Sequence, residues 1–264
     1  MGKCDEPIQA FHSEQMADHT VTGCASIPYN AGMRILAIDT STEQLSISLW
    51  NDGIQTGLTE TAGQQHSSMT IPLIEKLLAD AQLTPTALDA ISYPVGPGAF
   101  TGLRIGCGIA QGLGFALQRP LIGISTLATL AQSVAGEQPI LACLDARMGQ
   151  VYAGLYQRID GKLTNLVADH LTNPDMLDIS AEFTNIQAVI QAVGNGFKAY
   201  QGQFPEPLTE RCHVVDDARL PDAHHQAELA VEAYEAGRTC LPHEAGLVYL
   251  RDKVALTTKE RTGS

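Results

Sequence analysis

The chain has 264 residues, 44% of them hydrophobic and 17% charged, proportions of an ordinary globular protein with material for one large core or two smaller ones. Sixteen Lys and Arg stand against 29 Asp and Glu, a formal net charge of -13, the wrong sign for gripping a phosphate backbone by counterion release. Direct binding to nucleic acid is therefore not expected.

Residues 1–32 show no periodicity; they mix Cys4, His12, His19 and Cys24 with Pro7 and Pro28 before Met33 opens the first regular pattern. They read as an expression leader or a misassigned start, and alternatively as a disordered natural extension. Arg34 to Asp39 is then an apolar run ending in an acid, as in a buried central strand. Leu45, Ile47 and Leu49 alternate with Ser46 and Ser48, and the Asn51-Asp52-Gly53 turn leads into Ile54 to Thr61, which predicts an antiparallel meander. A helix follows from Ser67 to Gln82, with Met69, Leu73, Ile74, Leu77, Leu78 and Ala81 on one face and Pro72 either in the first turn or kinking it. Leu88 to Tyr93 is the next strand, Thr101 to Leu117 a second helix, Leu121 to Ile124 a short strand and Ser125 to Ala135 a third helix.

After the Gly136 to Pro139 break the pattern restarts. Ile140 to Asp145, Val151 to Gln157 and Leu163 to Thr172 form another meander through Arg147-Met148-Gly149 and Asp160-Gly161, and Ala188 to Val193 is a further strand. Residues 197–220 carry no clear period, whereas Gln226 to Glu235 is amphipathic and helical. Two such halves describe a duplicated α/β, actin-like (ribonuclease H-like) fold of two lobes, each a mixed five-stranded sheet with flanking helices. The boundaries read as a leader over 1–32, a first lobe over 33–136 and a second over 137–264.

No apolar run reaches the roughly 20 residues that span a bilayer, since Ile105 to Leu117 is too short and is broken by Gln111. The six cysteines, Cys4, Cys24, Cys107, Cys143, Cys212 and Cys240, include no Cys-x-x-Cys pair and suit a reducing cytoplasm. The eight histidines offer neither His-x-x-x-His nor His-Glu-x-x-His, so no metal site is expected, and His224-His225 reads as a solvated helix start. Arg251, Lys253, Lys259 and Arg261 read as a solvated tail.

Three segments carry a family signature: Ile38-Asp39-Thr40-Ser41-Thr42, Gly96-Pro97-Gly98-Ala99-Phe100-Thr101-Gly102-Leu103-Arg104-Ile105-Gly106, and Asp145-Ala146-Arg147-Met148-Gly149-Gln150-Val151-Tyr152. Together with Gln65-His66-Ser67 and Tyr249-Leu250-Arg251 they resemble the bacterial TsaB (YeaZ) family from Met33 onward. One departure is Ala99, where family members often carry serine. The resemblance implies an actin-like fold and a non-catalytic subunit of the machinery that makes threonylcarbamoyladenosine in tRNA. The implied partners are TsaD, which transfers the threonylcarbamoyl group, and the ATPase TsaE; without TsaD a homodimer is implied. The first two helices are the implied meeting surface.

The residues themselves admit more than one chemistry. Asp39, Thr40 and Ser41 sit where backbone N–H groups and hydroxyls can face a phosphate and its metal, with Gly98 at the next helix start; local hydrogen bonding is the other reading, and there is no Gly-rich Lys-Ser or Lys-Thr loop. A required cofactor is not expected, and weak ATP or ADP binding is the most this turn suggests. The second helix carries five glycines, each costing roughly 0.8 to 1 kcal/mol in a helix interior, so something offsets them. Gly102, Gly106 and Ala110 form one small stripe and Gly108, Gly112 and Ala116 another, pressing on the sheet, a second helix or another protomer. Arg104 and Gln111 lie on a third, polar face. The expected partner surface is Met69, Leu73 and Leu77 of the first helix with Gly102, Arg104, Gly106, Ala110 and Gln111 of the second. Asp145 and Arg147 read as a structural salt link rather than an active pair. The alternatives are an ATPase or small-molecule kinase using Asp39 and a peptidase acting on TsaD, though no Gly-x-Ser-x-Gly elbow surrounds Ser67, Ser125 or Ser133.

Overall fold

The computed structural model describes residues 32–177 and 189–251, so the leader expected over 1–32 falls, but for Gly32, outside the described residues, as do Lys253, Lys259 and Arg261. The first sheet begins with three antiparallel strands, β1 (Arg34–Asp39), β2 (Gln44–Asn51) and β3 (Ile54–Thr61). Asp52 and Gly53 join β2 to β3, both at positive φ, the two-residue turn whose twist suits a hairpin. Helix α1 (His66–Asp80) leads to β4 (Ala90–Gly96), and α2 (Phe100–Leu117) to β5 (Leu121–Ser125), both strands running parallel to β1. The order is β3-β2-β1-β4-β5.

The second sheet repeats that plan. After α3 (Thr126–Gln132) come β6 (Ile140–Arg147), β7 (Gln150–Ile159) and β8 (Lys162–Thr172), antiparallel, with Asp160 and Gly161 in the same positive-φ turn. Then follow β9 (Ile190–Val193), the short helices α4 (Asn195–Ala199) and α5 (Glu206–Thr209), β10 (Cys212–Asp216) and α6 (Ala223–Glu235). The order β8-β7-β6-β9-β10 is the first sheet's order again, so the duplicated actin-like fold expected from the pattern is the observed one. β10 was hidden in residues 197–220 because its five residues, with Val214 and Val215 adjacent and both exposed, show no alternation.

Alternation along β1 decides what covers each face. Leu36 and Ile38 join the core under α1 and α2, while Ile35 and Ala37 meet Leu229, Ala230, Ala223 and Ala227 of α6 on the other side. Leu127, Leu130 and Ala131 of α3 pack against Ile140, Ala142 and Leu144 of the second sheet. A cut at 136/137 thus separates the two sheets but not their helices: α3 precedes it and lies on the second sheet, and α6 follows it and lies on the first. Pro72 falls in the second turn of α1, not the first, with its ring outward.

Candidate functional site

Strand β1 delivers Asp39, Thr40 and Ser41 to the edge of a cleft, and all three are buried. Asp39 shares the parity of Ile35 and Ala37, which puts its side chain on the α6 side of the sheet. Its Oδ1 accepts from the Ser41 amide at 2.8 Å and the Ser41 hydroxyl at 2.6 Å, and its Oδ2 is buried without a hydrogen-bond partner. Burial pushes this carboxyl up to about 6, against the lowering effect of the two Ser41 bonds. Thr40 donates to the Gly102 carbonyl at 2.8 Å. The turn's polar groups are thus largely committed to the chain itself, and only Ser41 and Gly98 of this set reach the cleft wall. A Cβ at Gly98 would fall 2.6 Å from the Ser41 carbonyl oxygen, and the neighbouring Ala99 amide donates to that oxygen at 2.7 Å. Ala99 is the N-cap of α2 and supplies no side-chain hydrogen bond, so the hydroxyl absent here leaves that helix start uncapped.

The cleft has a volume of about 260 Å³ and is walled by the β1–β2 turn and the start of α2 on one side, by the β6–β7 turn and Asn195 on the other, and by Val248 to Arg251. In the β6–β7 turn Arg147, Met148 and Gly149 have φ of 61°, 56° and 75°, an unfavourable conformation for the first two. Asp145 holds the turn: its Oδ1 accepts from the Arg147 amide at 2.7 Å and Tyr200 hydroxyl at 2.9 Å, and its Oδ2 pairs with the Arg147 guanidinium at 3.0 Å. This is the structural salt link expected from the sequence. Arg251, by contrast, is not a solvated tail residue, because its Nη2 donates to the carbonyls of Ala146 at 3.0 Å and Arg147 at 3.3 Å.

Helix α2 divides its glycines between two tasks. Gly102, Gly106 and Ala110 are buried, and a Cβ at Gly102 or Gly106 would overlap Thr40. This stripe presses on β1 and β4, which corrects its assignment to the partner surface. The same correction applies to Leu77, 3% exposed in the core beneath α1, while Met69 and Leu73 are half-buried beside it. Gln111 donates to the Ala245 carbonyl at 3.2 Å, and Arg104 donates to the Tyr249 hydroxyl at 3.0 Å with its guanidinium 3.7 Å from the Phe100 ring centre. Both are engaged by their own chain, although Arg104 stays exposed.

What α2 offers outward is Phe100, Thr101, Arg104, Gly108, Gly112, Phe115 and Ala116. Among the described residues a Cβ at Gly108 or Gly112 would meet nothing within 4 Å, and Phe115 is 80% exposed. Ile71 of α1 is a second exposed large apolar residue, at 39%. Neither Ile71 nor Phe115 was singled out by sequence reasoning, which followed the apolar face of each helix; the signal was a large apolar residue lying off that face.

Ser125 caps α3, accepting from the Ala128 amide at 3.2 Å, and donates to Asp169 Oδ2 at 2.5 Å, while the Tyr156 hydroxyl donates to Asp169 Oδ1. These bonds join β5 to β7 and β8. His224 and His225 lie in the first turn of α6, where Asp222 is the cap, and both lie within 4 Å of Glu228. Among the described residues no cluster of three His, Cys, Asp or Glu side chains is placed to hold a metal, and no helix is long and apolar enough to cross a membrane.

Residues 58–239 match the family model described as TsaD, tRNA N6-adenosine threonylcarbamoyltransferase. The chain is 37% identical to the tRNA threonylcarbamoyladenosine biosynthesis protein TsaB of Escherichia coli, over 84% of this chain and 96% of that protein. It is 33% identical to the Haemophilus influenzae TsaB, over 84% and 95%. A crystal structure of a Pseudomonas aeruginosa protein, described as uncharacterized with similarity to peptidase YEAZ, superposes with a TM-score of 0.75 at 34% identity, covering 83% of this chain and all of that one.

Proposed function

Because the chain belongs to the TsaB (YeaZ) family of tRNA threonylcarbamoyladenosine biosynthesis proteins, we propose that it serves that pathway as a non-catalytic subunit, docking and activating TsaD in an assembly that includes TsaE. The family model bears the transferase's description, but the relatives matched over nearly their whole length are named as TsaB, and theirs is the role we follow. The outward stripe of α2 carries the proposal. Gly108 and Gly112 leave helix backbone bare, at roughly 1 kcal/mol each against alanine, with no packing among the described residues to explain them. Bare backbone beside Phe115 is a surface on which a second helix can seat closely.

In this reading the protein forms a homodimer through the same face until TsaD replaces the second copy, works in the cytoplasm, and leaves tRNA to its partners, as its net charge of -13 favours. No cofactor is required; ATP or ADP would bind weakly, against Ser41 and Gly98. A kinase or ATPase reading draws less support, because Asp39 lies off the cleft wall with one oxygen committed to Ser41. The peptidase reading lacks a nucleophile at Ser125, whose hydroxyl is occupied as a helix cap and by Asp169.

Light scattering after size exclusion, on the protein alone and mixed with TsaD of its own organism, tests the proposal. A dimer that converts to a mixed complex is the expected result, and an unchanged profile would overturn it.

A further inference from the structure

The segment following α6 runs back across the molecule. Cys240 pairs with Leu121 on β5, the Tyr93 hydroxyl donates to the Gly246 carbonyl at 3.1 Å, and the Val248 amide donates to the Val95 carbonyl at 2.8 Å. Its path then leaves the first sheet. Tyr249 meets Arg104 and Phe100 at the start of α2, and two residues later Arg251 reaches the β6–β7 turn of the second sheet. That turn is where Arg147 and Met148 hold left-handed backbone, an arrangement costing on the order of 1 kcal/mol per residue that surrounding contacts must sustain. Arg251 supplies such contacts from outside the second sheet, bonding the two carbonyls that precede Met148 and touching the Met148 sulfur at 3.3 Å.

We propose that residues 245–251 are a strap that couples the outer face of α2 to the β6–β7 turn, so that a contact made on that face changes the set of the cleft. Arg251 is a positioning residue at one end and Tyr249 the link at the other, because Arg104, which Tyr249 holds, belongs to the outward stripe. The coupling to a partner rests on the docking proposal above; the tie between strap and turn stands without it. The planar guanidinium matters here, since it spans two neighbouring carbonyls where an ammonium offers a point charge.

Hydrogen exchange read by mass spectrometry on the full chain tests the tie. In R251A, exchange across residues 145–151 and at the Val248 amide should accelerate about tenfold, as expected when two partly exposed hydrogen bonds are lost. R251K should fall between R251A and the wild type, and the paired amides of Leu121 and Cys240 should not change. Unaltered exchange at the turn in R251A would overturn the tie, and a loosened turn with an unmoved Val248 would reduce Arg251 to a local cap and overturn the strap. For the wild type with TsaD added, slower exchange at residues 145–151 is expected. Binding seen by light scattering without that change would overturn the coupling while leaving the docking proposal intact, whereas absence of binding would count against docking alone.

Discussion

Thr40 donates a 2.8 Å hydrogen bond to the carbonyl of Gly102, a residue 62 positions further along the chain, and so close an approach needs glycine, because a Cβ at Gly102 would fall 2.0 Å from the Thr40 carbonyl oxygen. The first strand and the second helix touch backbone to backbone at this point. Gly102 and Gly108, six residues apart on one helix, therefore answer to opposite requirements.

Gly102→Ala should destabilise the fold by about 1–3 kcal/mol, the usual range for overpacking where backbone must shift. Gly108→Ala should stabilise it by about 0.5–1 kcal/mol, since its Cβ enters open solvent and alanine favours the helix. Urea denaturation of both variants gives the comparison, and equal effects would mean that the two stripes are not distinguished as described.

Phe115→Asp should leave stability within about 0.5 kcal/mol of the parent, as for other exposed positions. The same change should weaken association with TsaD at least tenfold, about 1.4 kcal/mol, if Phe115 anchors the face. Titration calorimetry and a thermal melt together read both effects. Ala110→Leu, by contrast, should destabilise the fold by about 1–3 kcal/mol in the same melt rather than act at the docking face, because Ala110 is fully buried.

Asp39 should shape the pH dependence of stability. Its folded value of about 6 lies above the ordinary aspartate value of 3.8, so the folded state holds the proton more tightly than the unfolded one. Its contribution is then complete below about pH 4 and is lost as pH rises through about 6, with a span on the order of 2–3 kcal/mol. Asp39→Asn keeps an acceptor for Ser41 and should flatten this part of the curve. A difference between variant and parent that does not vary over pH 4–7 would refute the assignment.

Tyr156→Phe should cost about 1–3 kcal/mol by removing one of the two donors that Asp169 accepts from. Because Ser125 ends the first sheet and Asp169 stands in the second, the loss should appear as a lower single midpoint in denaturant by both fluorescence and circular dichroism. Two separated transitions would show that the sheets unfold independently.

Much of this architecture was legible because period-2 alternation and Asp-Gly turns are local signals. Asp52-Gly53 and Asp160-Gly161 each announce a hairpin, and both occur where expected. The glycine-rich helix was equally plain, yet which of its stripes faces inward depends on Thr40, a neighbour that spacing along the helix does not reveal. The strap was not legible: its amides and carbonyls bond to Val95, Tyr93 and Gln111, far away in sequence, and its residues follow no period. Asp39 stands out in the sequence as a turn acid, but that its Oδ1 accepts from the Ser41 amide and hydroxyl, on the α6 side of the sheet, is set by strand parity and by packing far away in sequence.

The exchange of α3 and α6 between the sheets bears on how the protein is made. A ribosome that has produced the whole first sheet has not yet produced α6, whose residues 223–235 cover Ile35, Ala37, Ile122 and Ile124. Until synthesis has passed that helix, the nascent chain carries an open apolar sheet face of the kind that chaperones hold and that aggregates when crowded. A helix made only after the second sheet is thus what makes the first sheet safe in solution.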